Sequence, residues 1–368
     1  MKIGILTLRL DFNYGGIVQA YALQKVLQDL GYDAKLVELH PLDLQKSFSQ
    51  RCFLFFKRLL KKIIKDKNTE LFLEKNQKRV FSFVEQNIER IFWDRDNKFN
   101  DYNFDVLIVG SDQIWRPKYV PFIIDEYFLD FAENWDIKRI SYAASFGTDK
   151  WEFSTEQTQR CGELLKKFDA VSVRESSGVS LCKNYFGVDA KWVLDPTMLV
   201  SENHYMFQIL KVPQKYDVNL CLGYLLDFTQ EKQEIFDKIV KYKAFTKLLW
   251  KNVNSVTSNS PSVEEWLKGF YSAEFVFTDS FHGCVFSIIF NKPFIVFGNK
   301  DRGLSRFNSL LDLFDLEDLL ITNIAEFGDD KINLAISKFS SDKVKNKLNN
   351  LRKESLSFLV NNLISDIR

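Results

Sequence analysis

The sequence holds only three histidines, and one of them, His282, stands in a loop suited to proton transfer. The apolar segment Phe275–Thr278 predicts a buried strand that leads into Asp279-Ser280-Phe281-His282-Gly283. A helix should follow over 284–290, with His282 near its N-terminus. The helix field favours the neutral imidazole and Asp279 favours the cation, a balance that suits acid–base catalysis. The alternative is a structural histidine that caps the turn, but the position at a strand exit favours the catalytic interpretation.

Paired glycines at the predicted start of a helix form a second candidate site. Gly15 and Gly16 follow Asn13 and a short apolar strand, and such glycines leave backbone N–H groups open to an anion. The segment lacks both the G-x-G-x-x-G spacing and a Walker lysine, so no dinucleotide site is indicated. An ordinary tight turn explains the glycines equally well.

Arg174 is a candidate for binding a carboxylate or a phosphate. It ends the apolar segment 170–173 and precedes a predicted helix with Ser176 as its N-cap. A guanidinium there can reach the end of the sheet and bind an anion through two hydrogen bonds. A surface pair with Glu175 is the alternative.

Arg302 and Arg306 offer further cations after the predicted strand Phe294–Phe297. The simpler interpretation of this segment is a helix start, with Asp301 or Ser305 as the cap.

Asp112 follows the apolar segment 104–110 and precedes Trp115, whose ring could stack on a sugar. Tryptophan in such a position is more often a core residue. Asp195, before Pro196, is interpreted as a turn former rather than a base.

The elements around these residues alternate between strands and helices. Segment 2–8, a helix that includes Ala20 to Leu30, and segment 36–39 form a βαβ unit, which implies a parallel sheet. The fold class is therefore α/β, with two doubly wound, Rossmann-like domains that face a cleft. Domains are predicted at 1–200 and 201–340, with a polar boundary near 201–215 and an amphipathic helix over 341–368. The first half should also contain strands at 139–146 and 191–194. The second half should contain strands at 218–224, 247–250, 275–278 and 294–297, and helices at 231–244, 263–273 and 284–290.

Composition excludes several classes of protein. The 368 residues include 50 basic and 49 acidic side chains, a formal net charge of +1, which argues against nucleic acid as a partner. Five scattered cysteines without a C-x-x-C pair predict reduced thiols and no zinc site. No apolar segment approaches a membrane span or a secretion signal, so a cytoplasmic location is expected.

The ordered set of motifs resembles the polysaccharide pyruvyl transferases. The resemblance rests on Asn13-Tyr14-Gly15-Gly16 with Gln19-Ala20, on 171–177 (VSVRESS), on Leu194-Asp195-Pro196, and on Ser280-Phe281-His282. It spans most of the chain, from residue 3 to about residue 315. It implies a fold similar to that of GT-B glycosyltransferases, with phosphoenolpyruvate bound between the domains.

The resemblance also implies roles for individual residues. Arg174 would bind the anionic groups of phosphoenolpyruvate, and His282 would be the catalytic histidine that protonates it. The sequence does not identify the base, for which Asp112 and Asp279 are candidates. Phosphoenolpyruvate is expected as a co-substrate, with no further cofactor and no metal.

One position departs from the family pattern. Many members carry arginine two residues before the histidine, where this chain has Ser280. We hypothesise that Arg302 or Arg306 supplies the missing cation. Retention of donor affinity after replacement of both would exclude this.

A basic amphipathic segment bears on the acceptor. Residues 51–65 place five apolar side chains at helical spacing and five basic ones opposite. Such a helix can contact the anionic inner membrane surface, in keeping with the polyprenyl-linked sugars that family members use as acceptors. An ordinary surface helix with a solvated lysine face is equally consistent with the pattern.

Two other functions remain open. One is a GT-B glycosyltransferase that uses a nucleotide sugar. Thermal stabilisation of the protein by its donor would distinguish the two enzymes, since they use different donors. The other is a non-catalytic sugar-binding relative, which activity dependent on His282 would exclude.

Overall fold

The computed structural model describes residues 1–10, 13–39, 79–93, 102–121, 123–211, 219–252, 260–299 and 303–364. Within these ranges the chain forms two five-stranded parallel sheets, one in each half. The inner strands Val106–Val109, Leu220–Leu225 and Phe275–Thr278 are buried along their whole length, as expected when helices cover both faces of a parallel sheet.

The first sheet has the strand order β3-β2-β1-β4-β5, so the order reverses beside β1. Loops that leave the carboxyl ends of strands at such a reversal form ligand sites in open parallel sheets. Two single bridges, Ile140 to Ala170 and Ala144 to Val173, connect the sheet to a further parallel pair, β6 and β7. The strands are β1 (Lys2–Leu6), β2 (Asp33–Leu39), β3 (Arg90–Trp93), β4 (Val106–Val109), β5 (Lys138–Ser141), β6 (Ser172–Val173) and β7 (Lys191–Trp192).

The second sheet has the order β12-β11-β10-β8-β9, with its own reversal between β8 and β10. The loop that carries His282 therefore leaves the sheet at its reversal point. The strands are β8 (Leu220–Leu225), β9 (Thr246–Lys251), β10 (Phe275–Thr278), β11 (Phe294–Phe297) and β12 (Leu320–Ile321).

Helices connect the strands, and local sequence signals mark several of their starts. Ser154 with Gln157, and Ser262 with Glu265, form reciprocal capping boxes at two of them. The helices are α1 (Tyr14–Asp29), α2 (Thr155–Leu165), α3 (Ser176–Leu181), α4 (Gln230–Tyr242), α5 (Val263–Ser272), α6 (Phe281–Ile289), α7 (Ser305–Phe314), α8 (Asp329–Phe339) and α9 (Lys343–Ile364), and residues 79–87 are also helical.

The last helix, α9, packs against the first half of the chain. The Ser355 hydroxyl accepts a hydrogen bond from the Leu194 backbone N–H at 3.0 Å. Arg352 donates from Nε to the carbonyl of Met198 at 2.7 Å. The predicted C-terminal helix therefore ties the end of the chain to the strand–turn segment that follows β7.

The two halves also share an apolar core. One cluster of buried side chains includes Ile5 of β1 and Phe277 of β10. Tyr14, the first residue of α1, stacks on Trp266 of α5 at 5.6 Å and donates its hydroxyl to the carbonyl of Pro261 at 2.6 Å. These contacts fix the start of α1 against the second half, which determines the geometry of the candidate site.

The structure changes several predicted element limits. The strands at 275–278 and 294–297 have the predicted ends. The strand predicted at 139–146 ends at Ser141, and the one at 191–194 ends at Trp192 and pairs only with β6. Glu175, not Ser176, is the N-cap of α3. Within the described ranges, no helix is both long and apolar enough to cross a membrane.

Candidate active site

His282 is the second residue of α6, directly after the carboxyl end of β10. Ser280 is the N-cap of this helix, and its hydroxyl accepts a hydrogen bond from the Gly283 N–H at 3.3 Å. The imidazole is 7% exposed. Ser280, the residue that departs from the family pattern, therefore has a structural role in starting the helix that carries His282.

Gly15 makes room for the imidazole at the start of α1. A β-carbon built on Gly15 would overlap Nδ1 and Cγ of His282. The contact joins the two halves of the chain, since α1 follows β1 and α6 follows β10. This glycine is therefore needed for the close approach of the histidine ring.

Replacement of Gly15 by alanine is expected to displace the His282 ring. The added methyl group cannot fit without a backbone or side-chain shift, which typically costs about 1–3 kcal/mol. Imidazole NMR resonances provide a direct measurement, because the chain has three histidines and His282→Ala assigns the relevant signals. The His282 signals should shift while those of His204 stay in place.

Gly162→Ala in α2 is the matched control for this variant. Its added methyl group would lie 3.2 Å from Cδ1 of Phe186, a contact that a small side-chain movement relieves. Unchanged His282 resonances in Gly15→Ala would show that the glycine does not position the ring.

Asp195 is the carboxylate beside His282. Its Oδ2 lies 3.6 Å from Nε2 of His282, too long for a hydrogen bond, and accepts a 2.7 Å hydrogen bond from Nη1 of Arg174. Its Oδ1 accepts from the backbone N–H and the hydroxyl of Thr197 at 3.0 and 2.7 Å. Asp195 thus forms the predicted turn, but it also links the histidine to the arginine, a role that the sequence interpretation missed.

Burial and neighbouring charges act in opposite directions on the pKa values of Asp195 and Arg174. Burial alone would raise the pKa of Asp195, but His282 and Arg174 outweigh it and hold the pKa of that carboxyl well below its ordinary range. Burial alone would lower the pKa of Arg174, but Asp195 and Asp112 keep it above its ordinary value. Both side chains are therefore charged at neutral pH.

Arg174 is held between two carboxylates rather than at the surface. Its Nη2 donates to Oδ1 of Asp112 at 3.2 Å, in addition to the bond to Asp195. Asp112 has a positive φ of 65°, a conformation that aspartate tolerates. The Asn13 amide donates weakly to the other oxygen of Asp112 at 3.5 Å. These residues come from the loops after β1, β4, β6 and β7, which meet at one end of the sheet.

Glu175 does not pair at the surface with Arg174, which was the predicted alternative. It is fully buried, and its Oε1 accepts from the Ser145 hydroxyl at 3.0 Å and from the Phe146 N–H at 2.7 Å. Burial raises the pKa of Glu175, while Arg174 opposes the shift. The side chain holds the loop after β5 against the start of α3.

Arg306 supplies a second cation beside Phe281, the residue that precedes His282. Its guanidinium lies 5.7 Å from the centre of the Phe281 ring, and the guanidinium of Arg174 lies 4.5 Å from the same ring. Burial and Arg174 lower the pKa of Arg306 to about 10, which leaves it charged at neutral pH. Arg306 forms no ion pair with any residue that the structure describes.

Asp279 does not face His282 as expected. Its carboxylate accepts hydrogen bonds from Nζ of Lys232 at 2.6 Å and from the backbone N–H groups of Leu226 and Asp227 at 2.6 and 3.0 Å. It therefore ties the end of β10 to the loop after β8. Its proposed influence on His282 was wrong, because Asp195 is the carboxylate beside that ring.

Trp115 is a core residue rather than a sugar platform. The ring is fully buried and stacks on Phe128 at 4.9 Å, and its Nε1 donates to the carbonyl of Tyr127 at 3.1 Å. The predicted stacking on a sugar is therefore wrong, and the simpler alternative holds.

Some predicted features cannot be placed. Arg302 and the basic segment 51–65 lie outside the described residues. Within the described part of the chain, no group of three or more His, Cys, Asp or Glu side chains is arranged to hold a metal ion.

Buried polar atoms without partners concentrate around this cluster. Ten such side-chain atoms occur among the described residues, and six of them belong to the site or its immediate neighbours. Since most buried polar groups in proteins are hydrogen-bonded, such a concentration indicates a place for a ligand or ordered water. The six residues are Arg174, Glu175, Ser177, His282, Ser305 and Arg306.

Two doubly wound sheets with a site where the halves meet define a protein of the GT-B type. The UDP-GlcNAc 2-epimerase from Neisseria meningitidis bound to UDP-GlcNAc is similar, with a TM-score of 0.51, 11% identity, and coverage of 98% of this chain and 100% of that one. The Anabaena protein Alr3699/HepE in complex with UDP has a TM-score of 0.50 at 10% identity, and the match covers 99% of this chain and 98% of that one. At this identity the likeness shows the fold alone.

The family follows from the sequence of the chain. The family model of the polysaccharide pyruvyl transferases matches residues 13–301, which include Asn13, Arg174, Asp195 and His282. The chain therefore belongs to the polysaccharide pyruvyl transferase family and is a transferase of polysaccharide pyruvylation at the family level. The comparison with curated proteins gave no match.

Proposed function

We propose that this protein transfers the enolpyruvyl group of phosphoenolpyruvate onto two hydroxyls of a sugar, to form a cyclic pyruvate ketal in cell-surface polysaccharide synthesis. One observation carries the proposal beyond family membership. A buried histidine backed by an aspartate directly follows Phe281, and the guanidinium of Arg306, which has no ion pair among the described residues, lies 5.7 Å from the centre of that ring. This combination provides a proton donor next to an anion site.

Arg306 is the cation that we assign to the donor. Two carboxylates already neutralise Arg174, so Arg174 serves mainly to hold Asp112 and Asp195 in place. Arg306 makes no such ion pair among the described residues. Asp112 and Glu175 favour its charge only without direct contact, so an anionic ligand would stabilise it further. Arg306 then replaces the arginine that many family members carry at the position of Ser280.

His282 is the acid in this mechanism, and Asp195 is placed to stabilise its protonated form. The imidazole gives a proton to the methylene carbon of phosphoenolpyruvate, which makes C2 electrophilic. A sugar hydroxyl then forms a bond to C2 and returns a proton to the imidazole. The C2–O bond to phosphate breaks, and a second hydroxyl of the same sugar closes the ring as its proton leaves with phosphate. The products are one ketal and one inorganic phosphate.

Replacement of Arg306 by glutamine is expected to raise the KM for phosphoenolpyruvate by about 10- to 100-fold. A hydrogen bond to a charged group contributes about 1.5–3 kcal/mol, and about 1.4 kcal/mol corresponds to tenfold. The stability of the free protein should not fall, because no described carboxylate loses an ion pair. The KM is measured from phosphate release, and stability from thermal unfolding.

Arg160→Gln serves as the control for Arg306→Gln. Arg160 pairs with Asp130 and Glu133 in a partly exposed network away from His282, so its loss should leave the donor KM unchanged. An unchanged donor KM in Arg306→Gln would remove this residue from the donor site.

The reaction itself is tested with purified protein, phosphoenolpyruvate and a panel of galactosides, mannosides and N-acetylhexosamine derivatives. Mass spectrometry should detect a sugar that has gained a pyruvate ketal, and His282→Ala should greatly reduce the amount of product. Failure to bind phosphoenolpyruvate, with thermal stabilisation by a nucleotide sugar instead, would favour the glycosyltransferase function.

A further inference from the structure

A cavity of about 510 Å³ lies between α3 and α7. Its walls come from the loop after β5, the start of α3, one side of α7 and the segment that leads into β12, and they carry four serine hydroxyls, one amide and three carboxylates. The volume falls in the range of about 300–1,000 Å³ that is typical of small-molecule sites. The cavity is separate from the contacts that hold His282.

This cavity adjoins the two arginines of the candidate active site. Ser177 lines it three residues after Arg174, and Ser305 lines it directly before Arg306. Consecutive Cα atoms are about 3.8 Å apart, so the backbone of each of these serines lies close to that of its neighbouring arginine. Because both arginines lie against the ring of Phe281, a ligand in the cavity would be close to the donor.

Two hydroxyls of the cavity have no hydrogen-bond partner. Ser305 is only 9% exposed, and its Oγ is buried without a partner, as is Oγ of Ser177. A third hydroxyl, that of Ser309, accepts a hydrogen bond from the Ser176 N–H at 3.1 Å and so joins the two halves of the chain. Since buried hydroxyls are rarely left unpaired, the walls are suited to a ligand rich in hydroxyl groups.

The charge of the cavity restricts what such a ligand can be. Asp149, Asp312 and Glu317 are exposed at its rim, and no basic side chain is among the described residues that line it. Carboxylates accept hydrogen bonds from sugar hydroxyls or an ammonium group, and repel a second carboxylate or a phosphate. Leu311 and Leu320 provide an apolar surface for the C–H face of a sugar ring.

We propose that this cavity binds a glycosyl unit of the acceptor, and that its three carboxylates select neutral or amino sugars over uronic acids and phosphorylated sugars. The assignment of this unit as the acceptor rests on the proposed pyruvyl transfer. The cavity would hold the sugar so that its hydroxyls reach the donor beside Phe281.

Saturation-transfer NMR with methyl glycosides of galactose, galactosamine and galacturonic acid tests the selectivity. The neutral and amino glycosides should bind, and the uronide should bind at least about tenfold more weakly. The double variant Asp312→Asn/Glu317→Gln should lower the affinity for the amino glycoside by about tenfold. It should also reduce the difference in affinity between the amino glycoside and the uronide. Because both carboxylates are exposed, the variant should fold normally, which thermal unfolding verifies.

Glu234→Gln, an exposed change on α4, is the matched control and should leave all three affinities unchanged. The inference would be overturned if the uronide bound as tightly as the neutral glycoside or if no glycoside bound. It would also be overturned if the double variant left the affinities unchanged. Donor binding is measured separately, by thermal shift with phosphoenolpyruvate. The parent protein could fail to bind phosphoenolpyruvate and still bind glycosides in a way that the double variant weakens. That result would contradict the proposed function but support the cavity as a sugar site.

Discussion

Replacement of His282 by alanine is expected to lower kcat for pyruvyl transfer by about 10²- to 10⁴-fold, the usual contribution of a positioned proton donor. Protonation of the methylene carbon makes C2 reactive, and the imidazole lies beside Asp195, a carboxylate that can stabilise its charged form. The loss of stability should be modest, about 0.5–3 kcal/mol. The measurement is kcat and the donor KM from phosphate release, with thermal unfolding in parallel.

His204→Ala is the matched control for this prediction. His204 is a partly buried histidine whose Nε2 lies 2.6 Å from the hydroxyl of Tyr21, outside the candidate site. Its replacement should cost about 0.5–1.5 kcal/mol of stability through the lost hydrogen bond, without a large change in kcat. A similar kcat in both variants would mean that His282 has a structural rather than a catalytic role.

The parts of the fold that depend on local pattern were predictable from the sequence. The strands at 275–278 and 294–297 were predicted to the residue, because each is a short, mainly apolar run directly followed by a turn former. The prediction of two doubly wound halves is confirmed by the parallel sheets and the GT-B-type neighbours. Propensity and periodicity act over a few residues, which is the length of the strands and helices whose alternation indicated this fold class.

The partners of individual side chains were not predictable in the same way. Asp279 is close to His282 in sequence, but its carboxylate forms an ion pair with Lys232 of α4. Asp195 is distant from His282 in sequence, yet the two side chains meet where the first and second halves pack together. Such pairs depend on the relative position of two sheets, which no local pattern encodes. The only sequence signal for Asp195 was its place in the motif Leu194-Asp195-Pro196.

The glycine motif shows the same limit. Gly15 and Gly16 were interpreted as an anion cradle or a tight turn, since backbone freedom is what glycine pairs usually provide. In the structure Gly15 is needed because a ring from the other half of the chain lies against it. Gln19, in the same motif, bonds to the hydroxyl of Thr7 at 2.9 Å and to the N–H of Ser111 at 3.1 Å, and so joins the loops after β1 and β4. Both roles become visible only from tertiary contacts.

Replacement of Asp195 by asparagine is expected to destabilise the protein by about 3–5 kcal/mol at neutral pH, the usual effect of breaking a buried ion pair. An asparagine oxygen can still accept from Thr197, but no charge would then face Nη1 of Arg174, which keeps only Asp112. The exposed pair of Asp189 with Lys183 provides the control. Asp189→Asn should change stability by no more than about 1 kcal/mol.

The pH dependence of stability distinguishes a lost charge from a general packing defect. Because the pKa of Asp195 is held well below its ordinary value, the unfolded chain binds its proton more readily than the folded one. The stabilisation by this group is therefore complete above its unfolded pKa of about 3.9 and declines as the pH falls below it. The difference in stability between the parent and Asp195→Asn, from denaturant unfolding between pH 7 and pH 3, should thus begin to shrink below about pH 4 and be about 1 kcal/mol smaller at pH 3. A difference that stays constant over this range would contradict the assignment of Asp195 as the charged link between Arg174 and His282.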